Sequence, residues 1–251
     1  MPDRIADADR RRAIAHTPLR QPSPLQRYRA APGRHLVDGD VVLCSTGGED
    51  AEGNTVFVLG HERVERVLSL ADAFFGAAMY AVAVDQDAAP ALPQGLVSRG
   101  WQLAEQEPVL VLAPIPDEPA GVPGLRIQRV DSEAGFEAFL RISQTARRWI
   151  PSLQAAMDPD VALFVGCLHE EPVATSRLTR HGEVAEILGV VTLPAYRRRG
   201  LGTALTWAAM TEARRRGCTA LTLTASELGY GVYRRIGFVP AGRYLTYVGG
   251  R

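Results

Sequence analysis

Two periods alternate along the chain. In "HERVERVLSLADAFFG" the apolar residues Val64, Val67, Leu68, Leu70, Ala71, Phe74 and Phe75 recur close to helical spacing. Around this helix the pattern changes to short apolar runs. "DGDVVLCST" begins a strand, the loop "GGEDAEGN" follows, and "TVFVLG" and "MYAVAV" are further strands. "LPQGLVSRG" reads as a short helix ending at Gly100, and "WQLAEQE" with "PVLVLAP" as a terminal strand pair.

The second half repeats the alternation with clearer punctuation. Strand "LRIQRV" precedes helix "SEAGFEAFLRISQTA" and a loop through "WIPS". Then "VALFVGCL", "VATSRLTR" and "VAEILGVVT", separated by turns at "HEEP" and "HG", predict an antiparallel meander. A helix over 201–216 places Leu201, Ala204, Leu205, Ala208 and Ala209 on one face and stops at Gly217. Strand "TALTLTA", short helix "LGYGVYRR" and a closing pair, "FVPAG" and "RYLTYV", finish the chain.

Composition divides this string of elements. Residues 1–36 hold five prolines and eight arginines, an irregular leader with one short helical pattern at Ile5–Ala15. Residues 114–124, with four prolines and two glycines, form a linker. Two modules result, 37–113 and 125–251. Their ends echo one another: "LVSRGWQLAEQEPVLVLAP" and "VYRRIGFVPAGRYLTYVGG" share the plan short helix, Gly, aromatic, strand, turn, strand. The first module thus reads as a worn copy of the second. Charge separates them as well. Residues 1–124 carry 11 Arg against 17 acids, and residues 125–251 carry 17 Arg against 11 acids. The more basic module is the one suited to an anionic ligand.

Other classes fall away. No apolar run reaches the roughly 18 residues of a membrane span, and the N-terminal segment lacks the apolar core of a signal peptide. The cytoplasm is the expected compartment. Cys44, Cys167 and Cys218 are far apart and form no C-x-x-C pair, which argues against disulfides and zinc and for small buried hydrophobes; no metal is expected.

The chemistry concentrates in "PAYRRRGLG", residues 194–202, between a strand and a helix. A helix N-terminus presents unpaired N–H groups and the positive end of the dipole. Gly200 and Gly202 admit an anion to the backbone, and Arg197, Arg198 and Arg199 add charge. The expected guest is a phosphate or pyrophosphate. A P-loop is excluded because the chain has no lysine, and the G-x-G-x-x-G fingerprint fails because Leu205 stands at its third glycine.

"VVTLPAYRRRGLGTALTWAAMTEARRRGCTALTLTAS", followed by "GVYRRIGF", closely resembles the acyl-CoA-dependent N-acetyltransferases of the GNAT superfamily, over roughly Leu125–Val248. Two linked motifs carry the resemblance: R-x-x-G-x-G at Arg197, Gly200 and Gly202, and Tyr-x-x-x-Gly-Phe at Tyr233, Gly237 and Phe238. It implies a mixed α/β fold, a mostly antiparallel mixed sheet flanked by helices, in tandem with a reduced N-terminal copy.

It also implies acetyl-CoA as co-substrate. The backbone of Val190, Val191 and Thr192 would pair with the pantetheine arm like an added strand. The N–H groups of Arg198, Arg199, Gly200, Leu201, Gly202 and Thr203 would cradle the pyrophosphate, with the arginine side chains reaching the 3′-phosphate. By the same resemblance Tyr233 is the general acid near sulfur, and Glu186 matches the strand glutamate used as general base. On the residues alone, Tyr233 is equally a core tyrosine. Period-two alternation sets Glu186 on the face of Leu188, so its role requires a bulge or polar cleft. Many relatives carry Asn at Ser226 and Ala at Gly229. Ser226 can still hydrogen-bond pantetheine, but that contact is the departure to check.

The expected activity is transfer of an acetyl group to a primary amine of a small-molecule or peptide acceptor by direct attack. The alternative is a non-catalytic acyl-CoA sensor. Nucleic-acid binding is disfavoured, since the arginines cluster at helix ends without an aromatic platform. A homodimer is compatible with the sequence. His169 and His181 read as surface turn residues. Trp101 and Trp149 read as packing before recognition, although Arg147, Arg148 and Trp149 fall where relatives cover their acceptor.

Overall fold

A computed structural model describes residues 33–51, 53–117, 122–144, 146 and 150–249. The helical pattern at Ile5–Ala15 and the three residues Arg147, Arg148 and Trp149 lie outside the described residues. The chain divides into two compact units. One is Leu110–Val239; the other runs to Val109 and takes in Pro240 onward.

The first unit opens with a meander, β1 (Arg34–Asp38), β2 (Val41–Ser45) and β3 (Asn54–Val58). Helix α1 (Val64–Phe75) carries the chain to β4 (Ala81–Asp85), parallel to β3; helix α2 (Leu92–Val97) and β5 (Trp101–Leu112) follow. The strand nearest the C-terminus, β11 (Val239–Gly249), pairs antiparallel with β4, from Tyr244↔Asp85 to Tyr247↔Val82. Val67, Ala71 and Phe75 of α1 bury against Val41, Leu43, Val56 and Val58, and Leu245 and Tyr247 of β11 complete the same core.

The second unit begins with β6 (Leu125–Arg129), α3 (Glu133–Ile142, capped by the Ser132 side chain) and the single turn α4 (Leu153–Ala156). The meander β7 (Val161–Leu168), β8 (Glu171–His181) and β9 (Val184–Thr192) follows, then a 3₁₀ turn at Pro194–Tyr196, α5 (Leu201–Arg215), β10 (Ala220–Thr224) and α6 (Glu227–Ile236). Strand order is β10-β9-β8-β7-β6, with only β9 and β10 parallel. Helix α5 packs on one face through Leu201, Leu205, Ala209 and Met210. Helices α3 and α4 cover the other, where Phe136, Phe139 and Ala156 meet Val161, Leu163 and Val165. Gly166 lets α5 approach: a β-carbon there would stand 2.8 Å from Leu205 Cδ2.

One order of elements recurs along the chain: three antiparallel strands, a crossover helix, a parallel strand, a short helix and a long strand run from β1 to β5 and again from β7 to β11, and among the described residues nothing before β1 corresponds to β6, α3 and α4. Pairing distinguishes the two runs. Strands β3 and β4 stay in register from Thr55↔Ala81 to Val58↔Val84, the last residue of β3. Strands β9 and β10 pair at Val184, Ala185 and Glu186, and their register ends at Glu186↔Thr222 while β9 runs on to Thr192.

Three sequence expectations change. "RHLVD", counted in part with the leader, forms β1; four of its five residues are exposed, so no apolar alternation announced it. The two expected closing strand pairs are each one long strand, β5 and β11. The chain passes between units at 109/110 and 239/240, rather than at the 114–124 linker.

An ion cluster ties α5 to β7. Glu212 accepts from Arg215 Nε at 2.7 Å and from Arg216 Nε at 2.7 Å, and Arg216 also donates to the carbonyls of Pro159 and Val161. The Arg215 hydrogen bonds are the largest influence holding the Glu212 carboxyl at about 2, against the cost of burial and aided by Arg216. A carboxyl depressed in the folded state stabilises above its unfolded value, and that stability is lost as pH falls from about 4.5 towards 2. Glu212→Gln should lower stability at neutral pH by up to about 3 kcal/mol. Urea titrations should show the gap from the parent closing as pH drops through that window. A gap constant from pH 7 to pH 2 would contradict the assignment.

Candidate functional site

The parting of β9 from β10 has a local cause. Opposite β8, the register passes from Arg177↔Leu188 to Thr175↔Val191, so Ser176 faces two β9 residues, Gly189 and Val190. Gly189 takes φ 55°, which favours glycine. The bulge is pinned from both sides: Thr175 Oγ1 donates to the Gly189 carbonyl at 3.2 Å, and Ser176 Oγ donates to the Leu205 carbonyl of α5 at 2.9 Å. The bent end of β9, Val190 to Thr192, lies beyond the last registered pair with β10.

Directly after this edge the chain turns into α5. Arg198 and Gly200 adopt left-handed backbone, φ 65° and 79°, while Arg199 between them does not. Such alternation turns successive N–H groups towards one side and makes an anion-binding concavity. Holding a non-glycine residue there costs about 1 kcal/mol. Gly200 is the N-cap, no side chain caps the helix, and the first intrahelical bond is Ala204 N–H to Gly200 at 3.0 Å. The N–H groups of Leu201, Gly202 and Thr203 therefore precede the hydrogen-bonded helix, at the positive end of its dipole.

Gly202 faces the end of β9. A β-carbon built on it would stand 3.7 Å from Thr192 Oγ1 and 3.8 Å from Val190 Cγ1. The protein has room for that carbon; a ligand on the same backbone would not. Arg197 Nε donates to the Thr192 carbonyl at 3.1 Å and locks turn to strand. Arg199 lies over the Tyr196 ring, and the Tyr196 hydroxyl donates to Glu171 at 2.5 Å. A cavity of about 260 Å³ beside them is lined by Leu168, His169, Glu171, Tyr196, Arg199 and Leu201, among others. Arg197, Arg198 and Arg199 are exposed.

Glu186 stands at the last paired position of β9 and is 1% exposed. Its cross-strand partners are Thr179 on β8 and Thr222 on β10, so three polar side chains form a row across the sheet face that carries α3. Arg177, two residues from Thr179 on that face, is 6% exposed and donates from Nε to Thr179 Oγ1 at 3.1 Å. Glu186 thus stands in a buried polar row, and the bulge lies just beyond it. Arg177 escaped the sequence reading. The available signal was the alternation of Thr175, Arg177 and Thr179 in "VATSRLTR", in phase with Glu186.

Tyr233 lies on α6, 8% exposed, in the core that packs against α5, with the Phe238 ring edge-on at 5.9 Å. Burial pushes its phenol up to about 12. Ser226, exposed, is the N-cap of α6, its Oγ accepting from Gly229 N–H at 3.2 Å. One of its two lone pairs is thereby committed to the helix, which leaves the other lone pair and the hydroxyl proton to offer. Val190, Thr192, Arg197 and Gly202 thus come together, as do Ser226, Gly229 and Tyr233. Glu186 stands on the opposite face of the sheet from Tyr233. His169 lines the cavity beside the arginine turn, and Trp101 is buried against Tyr80 in the first unit.

Cys44, Cys167 and Cys218 are buried free thiols. Among the described residues, no group of His, Cys, Asp and Glu is arranged to hold a metal ion, and no helix is long and apolar enough to cross a membrane.

Comparison with known proteins follows the same lines. Residues 126–238 match the model of the acetyltransferase (GNAT) family. A GCN5-related N-acetyltransferase from Kribbella flavida superposes with a TM-score of 0.71 at 24% identity, over 94% of each chain. A GCN5-related N-acetyltransferase from Sphaerobacter thermophilus gives 0.62 at 18% identity over 83% of this chain and 76% of its own. A tandem GNAT protein from the clavulanic acid biosynthesis pathway, solved without AcCoA, gives 0.60 at 14% identity over 83% and 78%. No curated protein matches the chain.

Proposed function

We propose that the second unit, whose residues 126–238 match the acetyltransferase (GNAT) family model, transfers an acetyl group from acetyl-CoA to a primary amine by direct attack. The observation that carries this reading is the joining of two features in one place. The unpaired edge of β9 ends at Thr192, and the uncapped start of α5 faces it across Gly202. One suits an extended amide chain; the other suits a pyrophosphate.

Acetyl-CoA supplies the activated thioester. The chain's residues have three tasks. Val190, Val191 and Thr192 hold the extended arm by backbone hydrogen bonds, and the N–H groups of Arg198 to Thr203 hold the pyrophosphate. Glu186 takes the proton that the amine must lose to attack, directly or through water. Tyr233 faces the sulfur that leaves.

The elevated phenol refines that last role. Full transfer from a group at about 12 to a thiolate of ordinary basicity, about 8.5, is uphill by several pKa units. Tyr233 therefore serves best by donating a hydrogen bond to the developing thiolate, with solvent completing protonation.

The acceptor is a small-molecule or peptide amine. A free-thiol release assay with acetyl-CoA across polyamines, amino acids, aminoglycosides and peptides should show turnover with at least one of them. CoA bound without turnover of any amine would replace the enzyme with an acyl-CoA sensor.

A further inference from the structure

Strand β1 ends the strand order, so among the described residues no strand pairs with its outer edge. Such an edge offers a row of backbone N–H and C=O groups to another chain, and proteins commonly blunt it with proline, a bulge or charge. β1 has no proline, and it pairs with β2 in one unbroken register from Arg34↔Ser45 to Asp38↔Val41. Leu36 and Val37 at its centre are 41% and 49% exposed. Its two charged residues, Arg34 and Asp38, are of opposite sign.

Those charges matter by their placement. When a second copy of β1 is laid antiparallel with Leu36 opposite Leu36, Arg34 falls opposite Asp38, Asp38 opposite Arg34, and His35 opposite Val37. Directly opposed residues share a face of the sheet, where opposite charges attract. The strand is therefore complementary to itself, as a two-fold interface requires. Leu36 is the partner of Leu43, which buries against α1, so Arg34, Leu36 and Asp38 stand on the face that carries α1. There the Arg34 guanidinium lies 4.4 Å over the Phe74 ring and donates to the Phe74 carbonyl, and Asp38 accepts from Arg66 at 2.8 Å. Both end charges are thus held in place beforehand, which lowers the cost of ordering them in a complex. Leu70, between Arg66 and Phe74 at helical spacing and only partly buried, adds apolar surface along the same edge.

We propose that the chain forms a homodimer through its first unit, by antiparallel pairing of β1 with β1 of a second copy in the register centred on Leu36. The two backbone edges satisfy one another, the two leucines meet at the two-fold axis, and the pairing of Arg34 with Asp38 occurs once on each side of it. This is independent of the acetyl-transfer reading.

The test uses the full chain. Sedimentation velocity at micromolar concentration should show a dimer. Leu36→Lys and Leu36→Asp each place like charges at the axis and should raise the dimer Kd by at least about 10-fold. Mixed in equal amounts the two variants should associate again, because lysine then faces aspartate. Circular dichroism should show the parent fold in both, since position 36 is exposed. Cysteine variants read the register. At position 36 the two Cα atoms would stand about 4.5–5.5 Å apart, within reach of a disulfide. At position 37 the two are offset along the strands and would stand about 8 Å apart, out of reach. Under mild oxidation Leu36→Cys should give a covalent dimer on a denaturing gel and Val37→Cys should not; Cys44, Cys167 and Cys218 are buried in both.

A monomeric parent would overturn the proposal and leave the edge to another occupant. So would a dimer that survives Leu36→Lys, a mixture of the two charged variants that stays monomeric, or equal cross-linking at positions 36 and 37, which would mean random collision or a shifted register.

Discussion

Tyr233→Phe and Glu186→Gln should each lower kcat by about 10²- to 10⁴-fold while leaving CoA affinity close to that of the parent. The two losses should differ in their pH dependence. The acceptor ammonium titrates near about 10.4 if it resembles a lysine, so raising the pH supplies neutral amine without help from the protein. Glu186→Gln should therefore recover part of its rate as pH rises. Tyr233→Phe should not, because no pH restores a hydroxyl hydrogen bond to the leaving sulfur. In the parent, burial keeps the phenol protonated up to about 12, so the tyrosine contributes no alkaline limb below that value. Steady-state kinetics from pH 6 to pH 10 decide the matter. If both variants match the parent throughout, the unit works by positioning a neutral amine against the thioester.

Gly202→Val should abolish measurable CoA binding at micromolar concentrations with little loss of fold. The site at Gly202 accepts a β-carbon at ordinary distances from Thr192 and Val190, so the protein itself barely resists the change. The added branches stand where helix N–H groups and strand edge converge, and there they exclude a phosphate from the backbone. Gly202→Ala should fall between the two. Isothermal titration calorimetry with CoA, paired with thermal melts, separates lost binding from lost structure. An unchanged Kd in Gly202→Val would remove the cradle from this corner.

The sequence showed the corner clearly because its requirements are local. Left-handed backbone, an uncapped helix start and clustered guanidinium groups depend on residues adjacent in the chain, and the bounds of β9 were readable for the same reason. What escaped notice depends on non-local pairing. Arg177 joins the Glu186 row only through the β8–β9 register, and that register depends on a bulge at Gly189 that no single strand displays. The exposed strand β1 carried no apolar signal. The long strands β5 and β11 each read as two, split before Pro108 and after Gly242, because proline and glycine read as turns until their neighbours in the sheet are known. Gly229 looked like a departure from a family pattern.

Strand β11 carries a consequence for how the protein is made. Its pairing with β4, and the burial of Leu245 and Tyr247 in the first unit's core, join residues separated by the whole of the second unit. On a ribosome adding about 5–20 residues each second, β11 emerges roughly 10 to 30 seconds after β4. During that interval the edge of β4 and the apolar surface reserved for β11 wait uncovered, while everything from β6 to α6 has already been synthesised. The unit translated first is thus the last one finished. Aggregation during expression should be governed by this waiting edge, and chaperone dependence should follow the delay before β11 arrives.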